Sequence, residues 1–232
     1  MIIACNQPNY IPWYPYFHLI KSVDKFFLLD VVQPGKQNYI VRNKILDEND
    51  NEIWLSIPIK EKEKYINICD TNIDEIFKKK HLNLILNHYS KYLNVDSKKI
   101  IEQIYSFNST YSHIFNANII KIICKHLNIK TKIILTSEYI ALNQINFKNA
   151  EKLIKDILIK EKCKKYLNFK TGIEKKIPPY NDLNFFRKNN IKLFKQNPTY
   201  CVKHKEFNQS IINLIIKKIR LPDEKIFYEE VV

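Results

Sequence analysis

The sequence predicts an α/β fold with a mostly parallel sheet, and three observations support this class. Short apolar segments typical of strands alternate with amphipathic helical segments, residues 2–32 have the length of a βαβ unit, and a stretch at about 74–126 is helical in three pieces. With 232 residues, 45% of them hydrophobic, the chain can bury a large core. We expect a single domain over 1–232, with an N-terminal β-hairpin element and a helical insertion at about 74–126.

The order of the elements follows from apolar periodicity and turn residues. A short, continuously apolar strand is followed by turn-forming residues, and alternating segments on either side of a polar loop predict the hairpin. The predicted strands cover 2–5, 25–32, 39–46, 52–59, 132–136, 165–169 and 191–194. The predicted helices cover 14–23, 74–89, 96–107, 111–126, 149–163, 182–190 and 207–219.

The basic charge does not predict a nucleic-acid partner. The formal net charge is +14, but 35 of the 38 cationic residues are lysine and three are arginine. Nucleic-acid readers favour arginine for bidentate contacts to guanine and phosphate. The chain is also rich in Ile, Lys and Asn, which share A/T-rich codons, so genome composition explains the charge, and we interpret it as a solvated basic surface.

The cysteines and the hydropathy predict a cytoplasmic protein. Five widely spaced cysteines without a CxxC pair favour free thiols in a reducing compartment. The N-terminus lacks the basic region of a signal peptide, and no run of 18 apolar residues predicts a membrane span.

Several classes of cofactor site and catalytic site are excluded because the sequence lacks their motifs. With only two glycines the chain has neither a P-loop nor a dinucleotide-binding GxGxxG, and it has no GxSxG elbow and no HExxH. His81 and His88 are seven residues apart, whereas metal pairs on a helix favour a spacing of four. We therefore expect no metal and no tightly bound cofactor.

The densest group of polar and aromatic residues follows the first strand. Gln7, Asn9, Tyr10, Trp13 and His18 supply hydrogen-bonding groups and flat apolar faces, and three prolines stiffen the backbone between them. Ligands of open α/β sheets bind outside the carboxyl ends of the strands. This loop is thus the expected small-molecule site, and the alternative is an aromatic-rich buried turn.

The second strand ends in a carboxylate, Asp30, directly after a run that should be buried. A carboxylate there is costly unless it is paired or used, so Asp30 is either a general base or a capping group. His81 is either a solvated helix residue or a second base. The next polar residues along the chain are Gln33, Lys36, Arg42 and Asn43. Arginine is scarce in this chain, so Arg42 suggests a fixed contact to a carboxylate or a phosphate.

The sequence resembles the WbqC-like family over nearly its whole length. The opening block Gln7-Pro8-Asn9-Tyr10-Ile11-Pro12-Trp13 carries the resemblance most specifically. Further matching segments are Leu28-Leu29-Asp30-Val31-Val32-Gln33, Arg42-Asn43-Lys44-Ile45, Trp54-Leu55-Ser56-Ile57-Pro58, Lys80-His81-Leu82 with Tyr89, Tyr166 with Gly172, and Pro198-Thr199-Tyr200 with Phe207 and Ser210. The chain departs from the family pattern at Val31, Val202 and Asn213, where relatives commonly carry an acid, a Gln and an Asp.

The resemblance implies a cytoplasmic step in making precursors of bacterial surface polysaccharide, such as O-antigen or capsule. We expect a transferase that adds an acyl or aminoacyl group, from a coenzyme A or carrier-protein thioester, to the amine of a nucleotide-linked deoxyamino sugar. A non-catalytic sugar-nucleotide-binding or scaffolding subunit is the alternative. An acidic carrier protein or a pathway enzyme is a possible partner.

Each candidate residue has an expected role in this reaction. The expected catalytic residues are Asp30, His81 and His18. The expected substrate-binding residues are Gln7, Asn9, Tyr10, Trp13, Gln33, Lys36, Arg42, Asn43, Tyr89 and Tyr200.

Overall fold

The computed structural model describes residues 1–35, 37–60, 66–174 and 182–232 and has an α/β architecture. The strands are β1 (Ile2–Asn6), β2 (Lys25–Leu28), β3 (Arg42–Leu46), β4 (Glu52–Ser56), β5 (Lys132–Leu135), β6 (Lys165–Phe169), β7 (Lys192–Asn197) and β8 (Phe227–Glu230). The α-helices are α1 (Tyr14–Lys21), α2 (Phe77–His88), α3 (Val95–Ser106), α4 (Ser112–His126), α5 (Thr136–Asn143), α6 (Ala150–Lys160), α7 (Lys170–Glu174), α8 (Leu183–Lys188), α9 (Thr199–Lys203) and α10 (Ile211–Ile216).

Six strands form the main sheet in the order β5-β2-β1-β6-β7-β8, and the first five of these are parallel. β8 pairs antiparallel with β7 at the edge. β3 and β4 form a separate antiparallel hairpin. The predicted fold class is therefore confirmed, with α2, α3 and α4 as the three helices between the hairpin and β5.

Helices cover both faces of the main sheet because its strands are apolar on both sides. Ala4 belongs to an apolar cluster with the hairpin, α3, α4 and α10, whereas its neighbours Ile3 and Cys5 point the other way into a cluster with α6 and Phe186 of α8. This alternation follows from the two-residue period of a strand. A central strand such as β1 thus ends between two cores, with its last residues at the edge of the sheet.

The structure corrects several bounds. β2 ends at Leu28 and not at residue 32, because the chain then leaves the sheet and the Asp30 carbonyl accepts a hydrogen bond from the Cys69 amide. The last predicted helix is shortened to α10, which begins where the Ser210 hydroxyl accepts from the Ile212 amide. Helices α5, α7 and α9 and edge strand β8 were not predicted. No helix in the described ranges has both the length and the apolar character that a membrane crossing requires.

Candidate functional site

A pocket of about 660 Å³ opens at the carboxyl ends of β1 and β6. Its walls come from the loop after β1, from Gly35, Gln37 and Tyr39, and from the β3–β4 hairpin, the start of α7 and the 198–209 segment. The volume is in the range of small-molecule sites. The pocket therefore lies at the edge of the sheet where open α/β proteins place their ligands.

Amide side chains supply much of the polar lining. They come from distant parts of the chain and include Asn6, Gln7, Asn9, Asn43, Asn168 and Gln209. An amide presents a donor and an acceptor side by side, which matches neighbouring hydroxyl or amide groups of a ligand. Asn9 has no side-chain hydrogen bond to the part of the chain that the structure describes, so its amide is available to a ligand.

Aromatic rings form the apolar part of the lining. Trp13 packs against Phe169, with ring centroids 6.3 Å apart and planes inclined by 35°. Tyr39 adds a ring that is 39% exposed. Flat faces next to amides suit a ligand that has both apolar and hydroxylated surfaces, such as a sugar ring.

The charged lining residues are Glu52, Lys44 and Lys170. Glu52 accepts hydrogen bonds from Lys44 and, at 2.7 Å, from Nε2 of Gln209. The hydrogen bond from Lys44 is the main reason that the pKa of Glu52 lies below its ordinary value of 4.5, so the carboxylate is charged at neutral pH. The pocket thus presents a fixed negative charge next to a cation.

Asparagine side chains hold the loop after β1 in place. Ile11 has a positive φ of 36°, which is rare for a β-branched residue. Asn43 Nδ2 donates to the carbonyls of Tyr10 and Ile11, at 3.1 and 2.9 Å, and Asn116 Nδ2 donates to that of Pro8 at 2.8 Å. Buried amides therefore fix the backbone from which Asn9 and Trp13 enter the pocket.

Four of the expected binding residues line this pocket: Gln7, Asn9, Trp13 and Asn43. The Gln7 side chain also holds the 33–35 turn, because it donates to the Gln33 carbonyl at 2.7 Å and accepts from the Gly35 amide at 3.1 Å. Gln33 contributes this carbonyl but is not a lining residue. The predicted role of Lys36 falls on a position outside the described residues.

Four other expected binding residues lie elsewhere. Tyr10 and Tyr89 are fully buried, and the Tyr89 hydroxyl accepts from the Leu46 amide at 3.1 Å. Tyr200 packs against His204 with ring centroids 4.1 Å apart. Arg42 lies on the outer face of the hairpin next to the pocket, and its Nε donates to the Gln37 carbonyl at 2.9 Å.

Asp30 is fully buried and is not one of the lining residues. Its carboxylate accepts from the Thr136 hydroxyl at 2.6 Å, from the Ser137 amide at 2.9 Å and from the Ser137 hydroxyl. These donors lie in the first turn of α5, where a negative charge is favourable. His113 Nε2 lies 3.9 Å from the same carboxylate. Asp30 therefore joins the end of β2 to the start of α5, which is the capping alternative, and its catalytic role stays a prediction.

His81 is buried beneath the hairpin. Its Nδ1 lies 2.8 Å from the Tyr10 hydroxyl, which in turn lies 2.6 Å from the Tyr105 hydroxyl. Burial, with a smaller contribution from Lys80, lowers its pKa from 6.5 to about 4, so the ring is neutral at pH 7. The solvated-helix alternative is wrong because His81 is 4% exposed.

His18, the third expected catalytic residue, is also buried. It stacks on Tyr228 with centroids 5.7 Å apart, and its Nδ1 lies 3.2 Å from the Tyr228 hydroxyl. Burial lowers its pKa. None of the three expected catalytic residues lines the pocket described above.

Sequence reasoning missed Lys44, Glu52, Asn168 and Gln209. Asn168 follows the apolar residues of β6, so the rule that pointed to the end of β1 could have found it. Glu52 and Gln209 have no local signal, because a hairpin and a segment 157 positions later bring them together. Within the described ranges, no three His, Cys, Asp or Glu side chains are arranged to hold a metal ion.

Comparison with known proteins identifies a family. The chain is 29% identical, over 141 residues, to the uncharacterized protein Rv1507c of Mycobacterium tuberculosis. The aligned region covers 59% of this chain and 61% of that protein. The chain thus matches less than two thirds of that relative's length. No solved structure matches it significantly. The model of the WbqC-like protein family matches residues 7–218, from the start of the pocket loop to two residues beyond α10, and the chain belongs to that family.

Proposed function

We propose that the protein is a cytoplasmic transferase that acylates or aminoacylates the amine of a nucleotide-linked deoxyamino sugar, for bacterial surface polysaccharide. The pocket is the observation that carries the proposal, since it combines amides, aromatic faces and one carboxylate. Amides and rings suit the hydroxylated and apolar faces of a sugar. The Glu52 carboxylate suits its ammonium group.

The reaction that we propose balances with a thioester donor. The bound ammonium first releases one proton to solvent water, and the neutral amine attacks the thioester carbonyl. A C–N bond forms, the C–S bond breaks, and the sulfur leaves as a thiol with the second proton that the nitrogen loses. Orientation of the amine by Glu52 and of the ring by Asn9 and Trp13 would bring the reacting atoms together, a major source of rate enhancement. The thioester is carried by coenzyme A or by a carrier protein, and a net charge of +14 favours an acidic carrier.

A non-catalytic sugar-nucleotide-binding or scaffolding subunit is the second candidate. One observation favours it: Asp30, His81 and His18 are buried and hydrogen-bonded inside the protein, away from the lining of the pocket. Under this proposal the pocket binds the same ligand, and the chemistry belongs to a partner enzyme.

The test is product formation followed by mass spectrometry. Purified protein is incubated with uridine- or thymidine-diphosphate-linked amino sugars, together with acetyl-coenzyme A or an aminoacyl carrier protein. We expect an N-acylated sugar nucleotide, and we expect Glu52→Gln to lower turnover at least about tenfold because the ammonium loses its charged partner. Glu224→Gln is the matched control, since Glu224 is 84% exposed.

The outcomes separate the two candidates. Binding of the amino-sugar nucleotide without any product supports the subunit and contradicts the transferase. A Glu52→Gln protein with full turnover removes Glu52 from the mechanism.

A further inference from the structure

The outer face of the hairpin, which carries Glu52, also presents residues that the reaction above does not use. Residues alternate across a strand, so Arg42 and Lys44 of β3 share this face with Trp54 of β4, which pairs with Lys44. We call these three residues the hairpin shelf. The opposite face of the hairpin carries the buried Ile45 and Leu55.

Trp54 is 46% exposed, which is unusual for a large aromatic ring. Two cations lie against it: the Arg42 guanidinium carbon is 5.1 Å from the ring centroid and Lys44 Nζ is 4.9 Å from it. Cations at these distances are attracted to the ring face. A half-exposed ring with two positive charges over it is a surface suited to an aromatic anion.

Arg42 is oriented and still has open donors. Its Nε is occupied by the Gln37 carbonyl, whereas its two terminal nitrogens have no hydrogen-bond or ion-pair partner in the described parts of the chain. The other two arginines of the chain, Arg187 and Arg220, have side-chain partners in Asn184 and Glu224. A guanidinium fork held from one side is prepared for bidentate binding of phosphate oxygens.

The shelf is continuous with the pocket. Lys44 belongs to both, and Gln37, which fixes Arg42, also lines the pocket. Lys44 further lies between the ring of Trp54 and the carboxylate of Glu52. A ligand with an amine at one end and a diphosphate further along would meet Glu52 first and the two cations next.

We propose that the hairpin shelf binds the nucleoside diphosphate part of the substrate, with the base stacked on Trp54 and the diphosphate held by Arg42 and Lys44. This inference rests on the proposed function and extends it from the sugar to the nucleotide. Every nucleobase has a flat π-face, and stacking on one aromatic side chain strengthens binding without base-specific hydrogen bonds. The shelf therefore selects a nucleotide carrier, and the pocket selects the sugar.

The test is calorimetric titration of uridine diphosphate, inorganic pyrophosphate and uridine into the protein and its variants. We expect Trp54→Leu to raise the Kd for uridine diphosphate about tenfold and to leave that for pyrophosphate unchanged, because only stacking is lost. Trp54→Phe should stay close to the wild type. Arg42→Gln should weaken the binding of uridine diphosphate and of pyrophosphate alike, by about tenfold. Arg220→Gln is the matched control for the lost charge.

Fluorescence adds a check on position, because the chain contains two tryptophans, Trp13 and Trp54. Quenching by uridine diphosphate should persist in Trp13→Phe and be largely lost in Trp54→Phe. Uridine diphosphate affinities that are equal in wild type, Trp54→Leu and Arg42→Gln would overturn the inference, as would quenching that comes from Trp13.

The same titrations distinguish failure of this inference from failure of the proposed function. If the nucleotide-linked sugar is acylated while the shelf variants bind uridine diphosphate as tightly as the wild type, the inference about the hairpin shelf fails and the transferase proposal holds. If the shelf variants bind uridine diphosphate more weakly, as expected, but no acylation occurs, the inference about the shelf holds and the transferase proposal fails.

Discussion

Replacing Asp30 by alanine is expected to lower the free energy of unfolding by about 3 kcal/mol. The substitution removes the acceptor of three hydrogen bonds from the first turn of α5, and the carboxylate they surround is fully buried. Hydrogen bonds to a charged group contribute about 1.5–3 kcal/mol each, and part of that is offset because the cost of burying the charge also disappears. Urea unfolding followed by circular dichroism measures the change.

Asp30→Asn separates a structural role from a catalytic one. The amide keeps one oxygen for the Thr136 hydroxyl and the Ser137 amide and can donate to the Ser137 hydroxyl, so we expect a loss of at most about 1 kcal/mol. Asp156→Ala removes an exposed pair with Lys152 and is the control, with an expected change under about 0.5 kcal/mol. A stable Asp30→Asn protein without turnover would establish Asp30 as catalytic, and full turnover would leave it as a cap.

Acidification from pH 7.5 to 4.5 is expected to lower the free energy of unfolding by about 2.5 kcal/mol through His81 alone. Burial holds the pKa of His81 at about 4 in the folded chain, against 6.5 as its ordinary value. Between these two pH values His81 is protonated in the unfolded chain and neutral in the folded chain. Its contribution to the free energy of unfolding is therefore fully present above pH 6.5 and is lost as the pH falls toward 4. Each unit of difference corresponds to about 1.4 kcal/mol.

The contribution of His81 is isolated by His81→Asn. The variant is less stable at pH 7.5, because Tyr10 loses its imidazole hydrogen-bond partner, but it has no ring to titrate. The stability difference between wild type and variant should therefore shrink as the pH falls from 6.5 to 4.5. A difference that stays constant over this interval would show that His81 titrates normally in the folded protein.

The fold class could be predicted because the strands are short, apolar on both faces and separated by helices. β1, β6 and α4 follow directly from such patterns. α5 was missed because Thr136 and Ser137 begin a helix directly at the end of β5, and that start depends on the distant Asp30. β8 was missed because its four residues are exposed or half-buried without the alternation typical of a strand, and only pairing with β7 makes them one.

The site could be predicted in part for a similar reason. The loop after β1 and Asn43 could be identified from the residues next to them in the sequence, and both line the pocket. The partnership of Glu52 with Gln209 exists only after folding. Tyr10 and His81 have residue types common in active sites, but the fold places them against each other and Tyr105 in the interior.

The most direct test of the account is ligand binding by Asn9→Ala. The Asn9 amide faces the pocket and has no side-chain hydrogen bond within the described residues, so its removal should leave thermal unfolding unchanged. The affinity for a nucleotide-linked amino sugar should fall about tenfold, while Asn87→Ala on the exposed side of α2 should bind like the wild type. An Asn9→Ala protein that binds the ligand as tightly as the wild type would contradict the assignment of this pocket as the substrate site.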